Sequence, residues 1–377
     1  MDITSLLAAA TQMRASDLHL KCGNYPIVRV DGNLQRLNDR PRLDSPELEN
    51  LATSLLPDAL RPSFARDRQA EFAVGFKGLG RFRCSLFRQR GTIGIVIRII
   101  PTHVASIDEL GLPPLLKQLA LKKRGLILVA GTVGSGKSTT LAALVDHINH
   151  SRAAHIITIE DPIEFLHTDD RSIVNQREVT VDAPSFASAL RSGLRQDPDV
   201  LLLGEMRDLE TIETGLTAAD TGHLVLATVH TANAPETINR LISVFPSHQQ
   251  EQVRRQLASV LQAVISQRLI PCVQGNGRCV AVEIMVNTPF IKDCIEDPAH
   301  TNDLGGAIAS GGSQYGMQTF DHAIYLLLQN GQISQETALR WASNADELEL
   351  RIQGVTPMTD EVRHEMPQSP LSIRLGQ

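Results

Sequence analysis

The chain has 377 residues, 42% of them apolar and 21% charged, with a net charge of −6. That length exceeds one typical domain, so two domains and a large buried core are expected. No apolar run reaches the ~20 residues that span a bilayer, the acidic balance gives no overall basic field for nucleic acid, and five scattered cysteines without a C-x-x-C pair argue against a disulfide framework or a structural zinc site.

The opening, MDITSLLAAATQMRASDLHL, has an acidic second residue and runs into polar positions. It predicts an amphipathic helix rather than a secretory signal, in keeping with the cytoplasm. Residues 1–101 are expected to form a small α+β domain. Leu18, Leu20, Ile27, Val28 and Val30 suggest a first hairpin, with Asp31-Gly32 as a turn pair. RFRCSLFRQRG and TIGIVIRII alternate apolar and polar residues as strands do, joined at Gly91. Residues 102–114 read as a linker, because Pro101, Pro113 and Pro114 interrupt regular structure.

From Leu121 the pattern changes. LILVA, HIITIE, DVLLLGE and HLVLATVH are continuously apolar, as expected of strands buried on both faces of a parallel sheet. Helical segments separate them, which makes this part α/β. Each run ends in polar residues: a glycine-rich loop, Glu160-Asp161, Glu205, and His230-Thr231. Carboxyl ends of such strands line the ligand crevice, so these groups should converge on one site. Further on, SHQQEQVRRQLASVLQAVISQRL has the spacing of a long helix and RCVAVEIMV that of a strand. FDHAIYLLLQNGQISQETALRWA predicts two helices around Asn330-Gly331. Residues 355–377 are expected to be a disordered tail.

The strongest local signal is GTVGSGKSTT, Gly131 to Thr140. Gly131, Gly136, Lys137 and Ser138 fit the G-x-x-x-x-G-K-[ST] pattern between a strand and a helix, with Thr132, Val133, Gly134, Ser135 and Thr139 completing the cradle. Backbone N–H groups would meet the phosphates of ATP, Lys137 would neutralise their charge, and Ser138 would ligate Mg²⁺. Glu205 stands where an acid can hold Mg²⁺ through water. In TIEDPIEF, with Glu160, Asp161 and Glu164, Pro162 stiffens the turn, and Glu164 is the candidate base for the attacking water; a plain surface glutamate stays open on the residues alone. His230 is a candidate γ-phosphate sensor or a structural histidine, and His223 a subunit or loop contact. Arginines are dense at positions 81, 83, 88, 90 and 98, and again at Arg191 and Arg195. Arg83 and Arg98, on neighbouring predicted strands, are candidate arginine fingers.

In this order ASDLHL, GTVGSGKSTT, TIEDPIEF, DPDVLLLGEMRDLETI and TAADTGHLVLATVHT, followed by GMQTFDHAI and NGQISQETALRWASNADELELRIQGV, resemble the secretion-ATPase superfamily and, within it, the type IV pilus retraction ATPases. The likeness covers almost everything from Met1 to Val355. It implies a homohexameric ring with a PAS-like N-terminal domain and a RecA-like ATPase domain at 115–354. The ring would lie in the cytoplasm, peripherally at the inner membrane by the pilus base. It would act on an inner-membrane platform protein, with a paralogous pilus ATPase as a second candidate partner and no nucleic acid. Carried over by position, Glu164 is the catalytic base, Glu205 the Mg²⁺-linked acid, His230 the box histidine, and Arg83 and Arg98 the arginines that reach nucleotide. Extension-type relatives carry an additional N-terminal domain and a zinc module, neither of which is expected here. One departure stands out. The retraction family commonly carries an AIRNLIRE helix where this chain has FIKDCIED, Phe290 to Asp297, which keeps the apolar Ile291 and Ile295 but loses the basic charge. A retraction motor and an accessory ring subunit that modulates a paralogous motor therefore both stay open. A nucleic-acid motor finds little support in 4% aromatic residues.

Overall fold

A computed structural model of the chain describes residues 2–30, 32–101, 103–273 and 277–355. Asp31 of the expected turn pair, and the expected tail beyond Val355, lie outside the described residues. The described residues divide into two units, one holding those up to 103 together with 164–166, the other 104–163 and 167–355.

In the first unit, helix α1 (Ile3–Gln12) starts at Asp2, whose side chain accepts from the Ser5 N–H. Strands β1 (Asp17–Lys21), β2 (Ile27–Val30) and β3 (Asn33–Arg36) follow, then α2 (Ser45–Leu55) and α3 (Arg61–Asp67). Strands β4 (Gln69–Phe76), β5 (Gly80–Gln89) and β6 (Thr92–Ile100) complete it. The six strands form one antiparallel sheet in the order β3-β2-β1-β6-β5-β4. Between β5 and β6 the chain reverses through Arg90 and Gly91, at φ 49° and 80°, the paired left-handed geometry that suits a two-residue hairpin. Alternation then sorts the faces. Phe82, Cys84, Leu86, Ile93, Ile95 and Ile97 join Leu6 and Leu7 of α1, Leu48 of α2 and Phe64 of α3 in one core. On the opposite pleat Arg83 pairs directly with Arg98, and Arg98 with Asp17. Asp17 is buried, and it accepts from Arg98 Nε at 3.0 Å and Ser16 Oγ at 2.8 Å.

The second unit begins in the stretch read as a linker, whose Ile107, Leu110 and Leu112 lie in the core with Ile127 and Val129. Its prolines end regular structure but do not detach the chain, because the apolar residues between them have a sheet to cover. Elements α4 (Leu115–Ala120), β7 (Gly125–Ala130), α5 (Lys137–Ser151), β8 (His155–Glu160), β9 (Ile173–Glu178), α6 (Phe186–Gly193), β10 (Val200–Leu203), α7 (Leu209–Asp220) and β11 (Leu224–Val229) come in turn. Helices α8 (Ala234–Ser243) and α9 (Ser247–Val260) lead to β12 (Leu261–Pro271), β13 (Arg278–Val286) and α10 (Pro289–Glu296). Among the described residues, α11 (Leu304–Ser310), α12 (Gly312–Tyr315), α13 (Phe320–Gln329), α14 (Gln335–Trp341) and α15 (Ala345–Ile352) come last.

The sheet order is β13-β12-β7-β11-β10-β8-β9, parallel except for β13. Every residue of β7, β10 and β11 is buried, which is why their sequences are continuously apolar. Leu126 and Leu128 face α6 to α9, and Ile127 and Val129 face α4 and α5. The long helix expected over 247–269 is a helix followed by a strand: α9 stops at Val260 and β12 begins at Leu261. A strand buried on both faces has no alternation to display, and its apolar positions also satisfy i, i+4 spacing. Pairing with β7 and β13 decides the outcome. Helix α10 forms as expected, burying Ile291, Cys294 and Ile295 and leaving Phe290 exposed. The five cysteines are free thiols, and burial pushes Cys84 up to about 12.

The Asp17–Arg98 pair makes a candidate arginine finger part of the fold. Arg98→Ala should lower the unfolding free energy by about 1–3 kcal/mol, the usual cost of losing a hydrogen bond to a charged group, because buried Asp17 keeps only Ser16 Oγ at 2.8 Å and the more distant Arg29 Nε at 3.9 Å. Adding Asp17→Asn should recover most of that loss in denaturant unfolding; an Arg98→Ala protein as stable as the parent would contradict the pairing.

Candidate nucleotide site

Strand β7 turns into α5 through the glycine-rich loop, and the turn has no room for side chains. A Cβ on Gly131, at φ 150°, would stand 2.3 Å from Ser135 Oγ and 2.8 Å from the Gln267 carbonyl oxygen. Gly134 and Gly136 sit at φ 79° and 90°, where an L side chain is strained. No side chain caps α5, so its first N–H groups point into the loop with the positive end of the helix dipole behind them. Ser135 Oγ is buried without a hydrogen-bond partner. An anion with several oxygens suits that arrangement. Thr132, Val133 and Gly134 are exposed at the loop's crest, while Ser138 and Thr139 are half-buried in the first turn of α5.

Lys137 is buried, with Nζ donating to Gly131 O at 2.8 Å and Thr132 O at 3.0 Å. The same nitrogen stands 3.5 Å from His230 Nδ1, and His230 Nε2 stands 3.6 Å from Glu205 Oε1. Three groups from three strand ends thus form a line: Lys137 after β7, His230 after β11 and Glu205 after β10. Burial holds the His230 pKa below the usual imidazole value; the neighbouring Lys137 lowers it further, Glu205 opposes, and Arg207 adds a smaller lowering. A lysine only donates, so in the neutral ring Nδ1 accepts and Nε2–H faces Glu205. Arg207 Nη1 lies 3.7 Å from the other Glu205 oxygen. Met206 N donates to Thr228 O at 3.0 Å, tying the Glu205 turn to β11.

The acidic box is knitted differently. Glu160 Oε1 accepts from Thr158 Oγ1 at 2.6 Å and from Gln176 Nε2 at 3.2 Å. Glu178, buried on β9, accepts from the Ile163 N–H at 3.3 Å. Glu164 is exposed and groups with the first unit, as do Arg83 and Arg98. Arg83 donates to Glu71 at 3.3 Å. His223, at the opposite end of β11 from His230, stands with Nδ1 2.9 Å from Ala218 O in the last turn of α7. Arg191 pairs with Glu210.

Two residues at the site were not singled out from the sequence. Gln267 Nε2 donates to Thr140 Oγ1 at 2.7 Å, clamping β12 to α5. Buried Glu283 on β13 accepts from the Ala234 N–H at 2.8 Å and from Ser266 Oγ at 3.2 Å, which anchors the start of α8 just after the histidine box. Its signal was visible, since a lone carboxylate interrupts the apolar RCVAVEIMV. Gln267 carried no such signal while its segment read as a helix.

Residues 1–308 match the family model described as type II/IV secretion system protein. The chain is 46% identical over 338 residues to the type IV pilus retraction ATPase PilT of Pseudomonas aeruginosa, an alignment covering 90% of this chain and 97% of that one. It is 39% identical over 353 residues to the type IV pilus ATPase PilU of the same organism, covering 94% and 92%. Among solved structures, the pilus retraction motor PilT with bound ADP superposes with a TM-score of 0.85 at 44% identity, covering 93% of this chain and 99% of that chain.

The line of three groups makes a titration testable. NMR of labelled histidine should place His230 below 6.5. Lys137→Ala should raise its pKa and Glu205→Gln should depress it further, because each removes a charge of opposite sign. With the folded value below the unfolded one, the neutral ring's contribution to stability is present above about 6.5 and is lost as pH falls through the folded pKa. An unperturbed His230, or no response to either substitution, would contradict the geometry.

Proposed function

The chain belongs to the type II/IV secretion system protein family, and from that premise we propose that it is an ATP-hydrolysing motor, a homohexameric ring that powers type IV pilus retraction and twitching motility. The observation that carries the reading is the Lys137–His230–Glu205 line at the mouth of an uncapped phosphate-loop helix. Identity of 46% to a retraction ATPase supplies what the work is for. The second unit is the RecA-like ATPase body. Loop N–H groups and Lys137 bind the β- and γ-phosphates of ATP, which requires Lys137 to exchange its loop carbonyls for phosphate oxygens.

Among the described residues no cluster of three or more His, Cys, Asp or Glu stands together to hold a metal. One hydroxyl from Ser138 and one carboxylate from Glu205 instead suit Mg²⁺, which keeps several waters and takes the rest of its shell from substrate phosphate. When bound, that ion neutralises charge developing between the β- and γ-phosphates. Glu164 orients the attacking water and takes its proton. His230, neutral and fixed between Lys137 and Glu205, reports the γ-phosphate to β11. Arg83 and Arg98 complete the site across a protomer boundary, so the ring is the catalytic unit. No described helix is long and apolar enough to cross a membrane. From the likeness to pilus retraction ATPases, the ring is read as working from the cytoplasm, against the inner membrane at the pilus base, on an inner-membrane platform protein.

Two experiments test this reading. Glu164→Gln should still bind ATP while turning over roughly 10²–10⁴-fold slower, the range for loss of a general base, whereas Lys137→Ala should weaken binding itself. Normal turnover by Glu164→Gln would move the base elsewhere. At the cellular level, a strain lacking the protein should keep its surface pili, in excess if anything, and lose twitching. A bald strain would indicate an assembly motor, and unchanged pili with unchanged twitching would replace the motor with an accessory ring subunit.

A further inference from the structure

Strand β12 touches the phosphate loop with one face and the C-terminal helices with the other. Parallel pairing puts Ser266 opposite Ala130, the last residue of β7, so Gln267 runs beside the first loop residue. The Gln267 carbonyl oxygen closes on Gly131, 2.8 Å from where its Cβ would stand. The side-chain amide donates to Thr140 in the first turn of α5 at 2.7 Å. Two residues on, the Leu269 side chain stands 3.8 Å from the Cβ position of Gly136. Both Gln267 and Thr140 are 2% exposed, and Gln267 Oε1 is buried without a hydrogen-bond partner.

Side chains alternate along a strand, so Arg268 points the other way. Its Nη1 donates to Trp341 O at 3.0 Å, and its guanidinium lies 3.8 Å from the centre of the Phe320 ring. Asp321, next to that phenylalanine, accepts from the N–H groups of Ser343 and Asn344 at 2.6 and 2.9 Å. Helices α13 and α14 are thereby fastened to the strand that flanks the loop. A buried amide is costly where an apolar side chain of the same size would pack. Its hydrogen bond to Thr140 fixes β12 to the helix whose uncapped N-terminus and Lys137 line the phosphate loop.

We propose that Gln267 is a positioning residue of the nucleotide site, and that Arg268 couples it to α13 and α14, so that docking of these helices and nucleotide binding bias each other. This rests on the nucleotide-binding reading above and adds a regulatory input to it. Coupling of this kind is reciprocal: whatever factor the helices impose on nucleotide affinity, nucleotide imposes on their docking.

The test uses the full chain and fluorescent ADP, with no need for turnover or pili. Gln267→Met keeps the volume and removes the donor, and Thr140→Val removes the acceptor. Each should weaken ADP binding about tenfold, as loss of one buried hydrogen bond allows, and the double variant should be no weaker than the worse single one because both remove the same bond. Arg268→Met keeps an apolar stem over Phe320 and frees Trp341; it should weaken ADP by about fivefold or more, the lower end of measured couplings. Saturating ADP should slow amide exchange across residues 320–341 in the parent, and this slowing should shrink in Arg268→Met. Additive losses in the Gln267 and Thr140 pair would overturn the positioning role. An Arg268→Met affinity within about twofold of the parent, well below the coupling range, would overturn the link to the helices. Failure of the parent to bind ADP would overturn the nucleotide reading itself, a result distinct from tight binding with uncoupled variants.

Discussion

The whole nucleotide site depends on one exclusion: nothing larger than hydrogen fits on Gly131. Ser135 Oγ on one side and the Gln267 carbonyl on the other already occupy the space a Cβ would take. This tight turn lets a fully buried strand become a helix within six residues, with the first helical residue already Lys137. A wider turn would move the helix end away from β12, and with it the amides, the lysine and the Thr140 clamp. Backbone geometry at one glycine therefore fixes the position of the main positive charge.

Around that point the parallel sheet does the gathering. Strands β7, β11, β10 and β8 are neighbours in space though far apart in sequence, and their carboxyl ends deliver Lys137, His230, Glu205 and Glu160 to one edge. Parallel pairing makes this unavoidable, since these four strands run the same way and the loop after each emerges on the same side. Burial then tunes what arrives. Loss of water is the main cause that lowers the His230 pKa, favouring the neutral ring, which can accept from a lysine and face a carboxylate at the same time. The first unit works by a different rule. Its antiparallel register lays Arg83, Arg98 and Asp17 in a row across three strands, so two of the chain's most suggestive cations carry a structural partner as well.

Most of this was legible in the sequence wherever chemistry and local pattern coincide. The phosphate loop, the four apolar runs, the position of Glu205 and the opposite ends taken by His223 and His230 all follow from residues within a dozen positions of one another. What escaped depends on pairing between distant segments. The 102–114 stretch has the prolines of a linker, yet Ile107, Leu110 and Leu112 find a sheet to cover. Asp17 is 81 residues from Arg98 and looks like any N-terminal acid until β1 and β6 pair. Strand β12 defeats periodicity because burial on both faces erases alternation, and with the strand went Gln267. Glu283 differs, since a charge inside an apolar strand announces itself; its partner, the Ala234 N–H, does not.

One irregularity in β12 governs how the length of this region can change. Leu261 pairs with Leu126 but Ala263 pairs with Ile127, so Gln262 is an extra residue bulged out of the ladder. From Ala263 onward the register is regular through Ser266. An insertion or deletion inside that regular part would shift everything beyond it by one and exchange the two faces, turning a guanidinium toward the phosphate loop and an amide toward Phe320. A deletion at Gln262 would leave Ala263 and all later pairs where they are. The bulge is thus the place in the strand where the chain can shorten without inverting its faces, and length differences among related chains should collect there or beyond the strand's ends.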